Sequence, residues 1–156
     1  MRIGVFSDTH GDLSLLYRLR EQLEPLDAVF HCGDYAREAR DIGSFFHCPY
    51  YAVKGNCDYG SSEPPERTVT LGEKRFLLLH GHQCAGELAM IYKARMAGAQ
   101  AVCFGHSHIP FLTWEEGILL LNPGSLSRPR GCSQPGCALL TVENGDIVPK
   151  LLSLLL

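Results

Sequence analysis

With 156 residues, 46% of them hydrophobic and 20% charged, the chain is the size of one compact unit that buries its own core without staples. A formal charge of -3 gives no overall basic footprint, which disfavours nucleic acid as a partner. Seven cysteines, an odd number with no Cys-x-x-Cys pair, argue against a disulfide framework or a zinc ribbon.

Ile3, Val5 and Phe6 form an apolar run of strand length, closed by Ser7-Asp8-Thr9-His10. One positive charge and so short a run do not make a signal peptide, and the expected location is cytoplasmic. Gly11-Asp12 then opens a helix with Leu16, Leu19 and Leu23 at helical spacing, Asp12 as its N-cap and Pro25 as its stop. Ala28 to His31 reads as a second strand, with Gly33-Asp34 just past its end. Arg37 to Phe46 makes a shorter helix, and Tyr50 to Val53 a third strand that runs into Gly55-Asn56-Cys57-Asp58. Strand, helix, strand is the order of a βαβ unit carrying its functional groups at the carboxyl edge.

After a loop over 59–66, the character changes. Arg67 to Leu71 alternates at period two, Gly72-Glu73-Lys74 turns, and Arg75 to Leu79 returns to deliver His80-Gly81-His82, so this hairpin should start a second sheet. Glu87 to Ala97 is a helix with Leu88, Ile91 and Tyr92 on its apolar side. Ala101 to Phe104 is a buried strand ending in Gly105-His106-Ser107-His108. The remainder reads as a meander over 111–115, 118–121, 138–143 and 147–155, with Glu116-Gly117 and Asn144-Gly145 as hairpin turns. The Leu-rich end, 151–156, is far short of a membrane span and reads as a terminal strand.

Asp, Asn and His therefore collect at strand ends, a mixed donor set that suits first-row divalent ions better than calcium. Asp8 and His10 are two apart, as are His106 and His108, and in extended backbone each pair would point to one side. Asp34, with two carboxylate oxygens, is the candidate bridge between two cations. Glycines 33, 55, 81 and 105 would let each strand end turn sharply. Two metals so held would clamp a phosphoryl oxygen and activate water, giving phosphoester hydrolysis.

The ordered set Asp8-x-His10, Gly33-Asp34, Gly55-Asn56-x-Asp58, His80-Gly81-His82 and Gly105-His106-x-His108 resembles the calcineurin-like metallophosphoesterase superfamily. Small size, Gly55-Asn56-Cys57-Asp58 and Asn122-Pro123-Gly124-Ser125 resemble its compact phosphodiesterases of the YfcE and MJ0936 kind. The resemblance covers nearly the whole chain, 1–156, as one domain. It implies an α/β four-layer α/β/β/α sandwich, two mixed sheets flanked by helices. One metal would be held by Asp8, His10, Asp34 and His108, and the other by Asp34, Asn56, His80 and His106. Asn56 and His82 would face the substrate, Asp58 would steady Asn56 and His80, and Cys57 would fill space beside them. The cofactors would be two divalent ions, manganese first and nickel, iron, zinc or magnesium as alternatives. A phosphoester small molecule would be the substrate, with no membrane partner and with homo-oligomerisation open.

Cys57 stands where many superfamily enzymes have a His that assists the leaving alcohol. A neutral thiol is a weak donor, so the resemblance implies slow turnover of unactivated esters and a preference for diesters with good leaving groups. His82 either compensates in part or hydrogen-bonds a loop. His31 and His47 occupy no motif position and read as structural; Cys132 and Cys137 read as loop thiols, and Arg128 and Arg130 as either phosphate contacts or solvated charges. The alternative function is a protein-interaction scaffold like the retromer subunit Vps29, a relative that keeps much of the fold and site.

Overall fold

A computed structural model describes residues 1–155. Its first sheet has the order β10-β9-β1-β2-β3 and its second the order β4-β5-β6-β8-β7. The first comprises β1 (Arg2–Phe6), β2 (Ala28–His31), β3 (Tyr50–Ala52), β9 (Gly136–Glu143) and β10 (Asp146–Ser153). The second comprises β4 (Glu66–Leu71), β5 (Lys74–Leu79), β6 (Ala101–Cys103), β7 (Pro110–Glu115) and β8 (Ile118–Pro123). Strands β1, β2 and β3 run parallel, as do β5, β6 and β8; the antiparallel pair β9-β10 extends the first trio beyond β1, and antiparallel β4 and β7 edge the second.

Strand alternation builds the layers. Ile3, Val5 and Phe30 point from the first sheet, and Phe76, Leu78, Leu119 and Leu121 from the second, into a shared core between them. The opposite faces receive helices. Phe6, Val29 and Leu139 pack against α1 (Leu16–Leu23) and α2 (Glu38–Phe46), while Leu77, Leu79, Val102 and Leu120 pack against α3 (Glu87–Ala97). The result is the expected α/β/β/α sandwich, with β1, β2, β6 and β8 buried on both faces and hence nearly continuous in apolar residues, while the edge strand β3 is partly exposed.

Three sequence expectations are corrected. Asp12 does not cap α1; its Oδ1 accepts from the Ser14 N–H (2.9 Å) in a turn, and the helix starts at Leu16 after an uncapped Leu15. The last four strands are not a meander, because β7 and β8 belong to one sheet and β9 and β10 to the other. Hairpin turns with positive φ at both central residues, Glu116-Gly117 and Asn144-Gly145, fix each pair locally but say nothing about which sheet it joins. In α3 the buried residues are Met90, Ile91 and Ala94, whereas Leu88 and Tyr92 are exposed. That helix is apolar on several sides, so spacing alone does not select the inward face.

Candidate metal centre

The parallel strands of both sheets end at one edge, and the turns beyond β1, β2, β3, β5 and β6 bring seven predicted donors there. Five of them, Asp8, His10, Asp34, His106 and His108, have φ between 47° and 72°, the left-handed region that side chains with a Cβ seldom occupy. The expectation that Asp8 and His10, or His106 and His108, share a side through extended backbone is therefore corrected. Both pairs lie in tight turns, and His106 and His108 diverge: His108 Nε2 lies 3.2 Å from Asp8 Oδ1, while the His106 ring stacks edgewise on His80 at 5.2 Å. Clustering of strained backbone at one point signals a site whose surroundings over-determine it.

The glycines serve two purposes, not one. Gly33 and Gly81 have positive φ and make turns as expected. Gly55 and Gly105 do not; they are required for close approach, since a Cβ on Gly55 would strike Asp34 Oδ1, and one on Gly105 would strike Ser7 Oγ and Asp8 Oδ2.

Each carboxylate is held by one oxygen and offers the other. Asp8 Oδ2 accepts from Ser7 Oγ and from the His106 N–H (3.0 Å), leaving the buried Oδ1 without a hydrogen-bond partner. Asp34 Oδ1 accepts the Cys57 N–H (2.9 Å), while Oδ2 sits between His80 Nε2 (3.4 Å) and His10 Nε2 (3.7 Å). So Asp34 faces the centre with one oxygen, where the sequence suggested two. The imidazoles are oriented by carbonyls. His80 Nδ1 donates to Cys32 O (2.7 Å) and His108 Nδ1 to Arg128 O (2.6 Å). A carbonyl only accepts, so in the neutral rings both Nε2 atoms present lone pairs to the carboxylates.

Lone pairs and anionic oxygens converging on one buried point call for positive charge between them. Asp8, His10, Asp34 and His108 each place a donor atom within 4.8 Å of the other three. Donors about 2.1 Å from a shared cation stand about 3–3.5 Å apart, and the separations of 3.2 to 4.0 Å between Asp8 Oδ1 and the three imidazoles His108, His80 and His10 approach that range. The titration of the groups agrees. Burial lowers the pKa of His80, yet Asp34 and Asp8 more than offset it and the net shift is upward. Burial would raise the Asp34 carboxyl, but His80 and the Cys57 N–H hold it well below the carboxylate range. The residues fit divalent metal ions.

Asp58 supports the site differently from the expectation. Its hydrogen bonds go neither to Asn56 nor to His80. Oδ2 accepts the N–H groups of Asp34 (2.8 Å) and Gly55 (2.7 Å), and Oδ1 those of Tyr35 (2.7 Å) and Ala36 (3.0 Å), so one side chain ties the Asp34 turn to the Asn56 turn. Asn56 lies exposed at the rim, its Nδ2 3.7 Å from Cys57 Sγ. The Cys57 thiol is shifted upward by desolvation and by Asp34. The His82 ring lies 5.4 Å from His80 and 6.1 Å from His106, with a buried Nδ1 that has no hydrogen-bond partner.

Several supporting residues escaped the sequence reading. His31 is structural, as read, but its partners matter: Nδ1 accepts the Gly33 N–H, so Nε2–H donates to Thr9 Oγ1 (2.9 Å), which donates to Glu38 Oε1 (2.9 Å). The same Glu38 oxygen accepts the Gly11 N–H (2.8 Å), clamping both neighbours of His10. From the far end of the chain, Ser125 Oγ donates to Asp8 O (2.8 Å), Ser127 Oγ to Thr9 O (2.7 Å) and Asn122 Nδ2 to Gly105 O (3.0 Å). Arg128 is represented at the site by its carbonyl. Cys132 is an exposed loop thiol as read, whereas Cys137 is buried within β9; both thiols are free, as are those of the other five cysteines.

Residues 1–145 match the calcineurin-like phosphoesterase superfamily domain. The chain belongs to that superfamily. It is 36% identical over 148 residues to the probable metallophosphoesterase YsnB of Bacillus subtilis, covering 92% of this chain and 86% of that protein. It is 31% identical over 156 residues to the phosphodiesterase YfcE of Escherichia coli, covering 84% and 82%. The structure of zinc-complexed Vps29 from Entamoeba histolytica superposes with a TM-score of 0.78 at 20% identity, covering 98% and 99% of the two chains, which shows a common fold. No helix among the described residues is long and apolar enough to cross a membrane.

Proposed function

We propose that this phosphoesterase is a two-metal phosphodiesterase, with Asp8, His10, Asp34 and His108 holding one ion and Asp34, Asn56, His80 and His106 the other. The observation that carries the reading is the cluster of donor atoms from Asp8, His10, Asp34 and His108, with His80 Nε2 also reaching Asp34 Oδ2 at 3.4 Å. Manganese is the ion proposed first, with iron, zinc and nickel equally suited to mixed oxygen and imidazole donors without a thiolate. When bound, such ions polarise phosphoryl oxygens and make water acidic enough to react near neutral pH. The side chains do the rest. Asp34 Oδ2 joins the two half-sites, the Asn56 carboxamide orients the phosphoryl group from the rim, and His82 borders the cluster on the His80 and His106 side. Seven unpaired thiols suit a reducing compartment, the cytoplasm.

Diester preference follows from Cys57. A thiol offers the departing oxygen no strong proton donor, so the leaving group must be stable without one. YfcE, similar over most of both chains, is named a phosphodiesterase, which supports the same reading. Metal analysis coupled to a panel of aryl diesters and monoesters tests it. Asp34→Asn should lose bound metal and more activity than the ~10–100-fold that loss of a supporting group costs. Cys57→His should raise monoester hydrolysis by about tenfold, a fraction of the ~10²–10⁴ that a well-placed acid supplies. Unchanged metal content and rates in both variants would remove the assignment.

A second reading, a scaffold, draws on the apolar groove of Met90, Phe104, Ile109 and Phe111 beside α3. A protein that retains metal and cleaves no diester in the panel would favour it.

A further inference from the structure

A cleft of about 450 Å³ opens directly beside the metal centre, lined by Tyr35, Arg37, Cys57, Asp58, Tyr59 and the segment 60–63. Its walls are the two turns that carry proposed ligands: Tyr35 follows Asp34, and Cys57 follows Asn56. Cys57 marks the side on which the family resemblance places the leaving alcohol, so a departing group would move into this cleft.

Of the three charged side chains lining the cleft, both carboxylates are already engaged and Arg37 is not. Both Asp58 oxygens are taken up by four backbone N–H groups. Glu63 is paired with Arg67 Nη2 at 2.8 Å. Arg37 is exposed, and among the described residues no carboxylate lies within salt-bridge reach of it. Its guanidinium lies 4.7 Å over the Tyr35 ring, and that ring lies 5.4 Å from His10. Two successive ring contacts thus connect the metal centre to a positioned cation. Tyr59, 94% exposed, offers an uncovered aromatic face at the mouth. A planar guanidinium stacked on an aromatic ring keeps its N–H fork available for a phosphate or carboxylate.

We propose that this cleft is the leaving-group subsite, and that its ligand is an alcohol bearing a second phosphate, received by Arg37. The inference rests on the phosphodiesterase reading for the position of the scissile phosphate. The substrate class is accordingly a phosphodiester whose leaving half carries a phosphate of its own. Arg37 is a specificity determinant and takes no part in bond cleavage.

Calorimetric titration of the manganese-loaded protein with two unactivated phosphomonoesters tests this, propyl phosphate and propane-1,3-diyl bisphosphate. Each presents one phosphate to the metals, and only the second presents another to the cleft. In the wild type the bisphosphate should bind at least about tenfold more tightly. Arg37→Gln should abolish that ratio while leaving propyl phosphate affinity unchanged, and Arg37→Lys should keep part of it. Equal affinities in the wild type, or a bisphosphate preference that survives Arg37→Gln, would overturn the proposal. Because binding is read and not turnover, a protein that binds both probes but hydrolyses nothing would refute the catalytic reading and leave this result standing.

Discussion

The two sheets contribute unequal halves of the centre. Turns after β1, β2 and β3 supply the oxygen donors, Asp8, Asp34 and Asn56, with one imidazole, His10; Asp8 is held by Ser7 Oγ and the His106 N–H, Asp34 by the Cys57 N–H, and Asp58 ties the Asp34 turn to Gly55. Turns after β5 and β6 supply imidazoles. His80 and His108 each hang on a single carbonyl, while His106 is exposed. Anionic ligands repel each other and need many donors to stay together; neutral imidazoles need only the correct tautomer and ring direction. The oxygen half is therefore where rigidity is concentrated, and the imidazole half is where the site can adjust.

The largest effect expected from breaking this asymmetry is at Asp58. Asp58→Ala orphans four N–H groups at the Asp34 and Asn56 turns and should lower unfolding free energy by about 4 kcal/mol. Metal affinity should fall by about 10–100-fold. Ser125→Ala, which removes one bond to the Asp8 carbonyl, should cost about 1 kcal/mol. Denaturant unfolding and metal titration of the two variants side by side measure the difference; equal losses would show that rigidity is spread evenly over the site.

A smaller effect should appear with pH, again on the oxygen half. His31 is fully buried, and its pKa is pushed down to about 4, chiefly by burial. The unfolded chain binds this proton below about 6.5, whereas the folded protein refuses it until about 4. Stability from this group is thus complete above pH 6.5 and is lost as pH falls through that window, by about 3 kcal/mol in all. Unfolding measured from pH 7 to 4 should show a shallower slope in His31→Gln than in the wild type, and identical slopes would remove His31 as the cause.

The same contrast explains what the sequence disclosed. The donors were readable because each stands beside a glycine or at the end of an apolar strand, a local signal. The partners of their supports were not, because Ser125, visible as a motif member, meets Asp8 across 117 positions and Glu38 meets Thr9 across 29. A buried Glu in a short helix has no local mark that distinguishes it from a solvated one. Asp58 was visible as a motif member, but its partners were misjudged, since a carboxylate bonding backbone N–H groups leaves no trace in side-chain identity. The α3 register failed for another reason: Leu88, Tyr92 and Met96 make a stripe at spacing four that is as apolar as the face the sheet covers.

That stripe gives the smallest expected effect and a sharp one. Leu88 is 81% exposed and lies in the first turn of α3, where a carboxylate also interacts favourably with the helix dipole. Leu88→Glu should therefore change stability by less than about 0.5 kcal/mol, as a surface substitution does. If instead it cost more than about 1 kcal/mol, and the loss shrank as protein was diluted, the stripe would be covered in solution by a second copy. Sedimentation of wild type and variant at matched concentration separates the outcomes: equal mass with equal stability keeps α3 as a solvated outer layer. A mass that drops in the variant would instead make the imidazole half a sheet buttressed from outside, and its lighter internal bracing would then reflect support from the neighbouring copy.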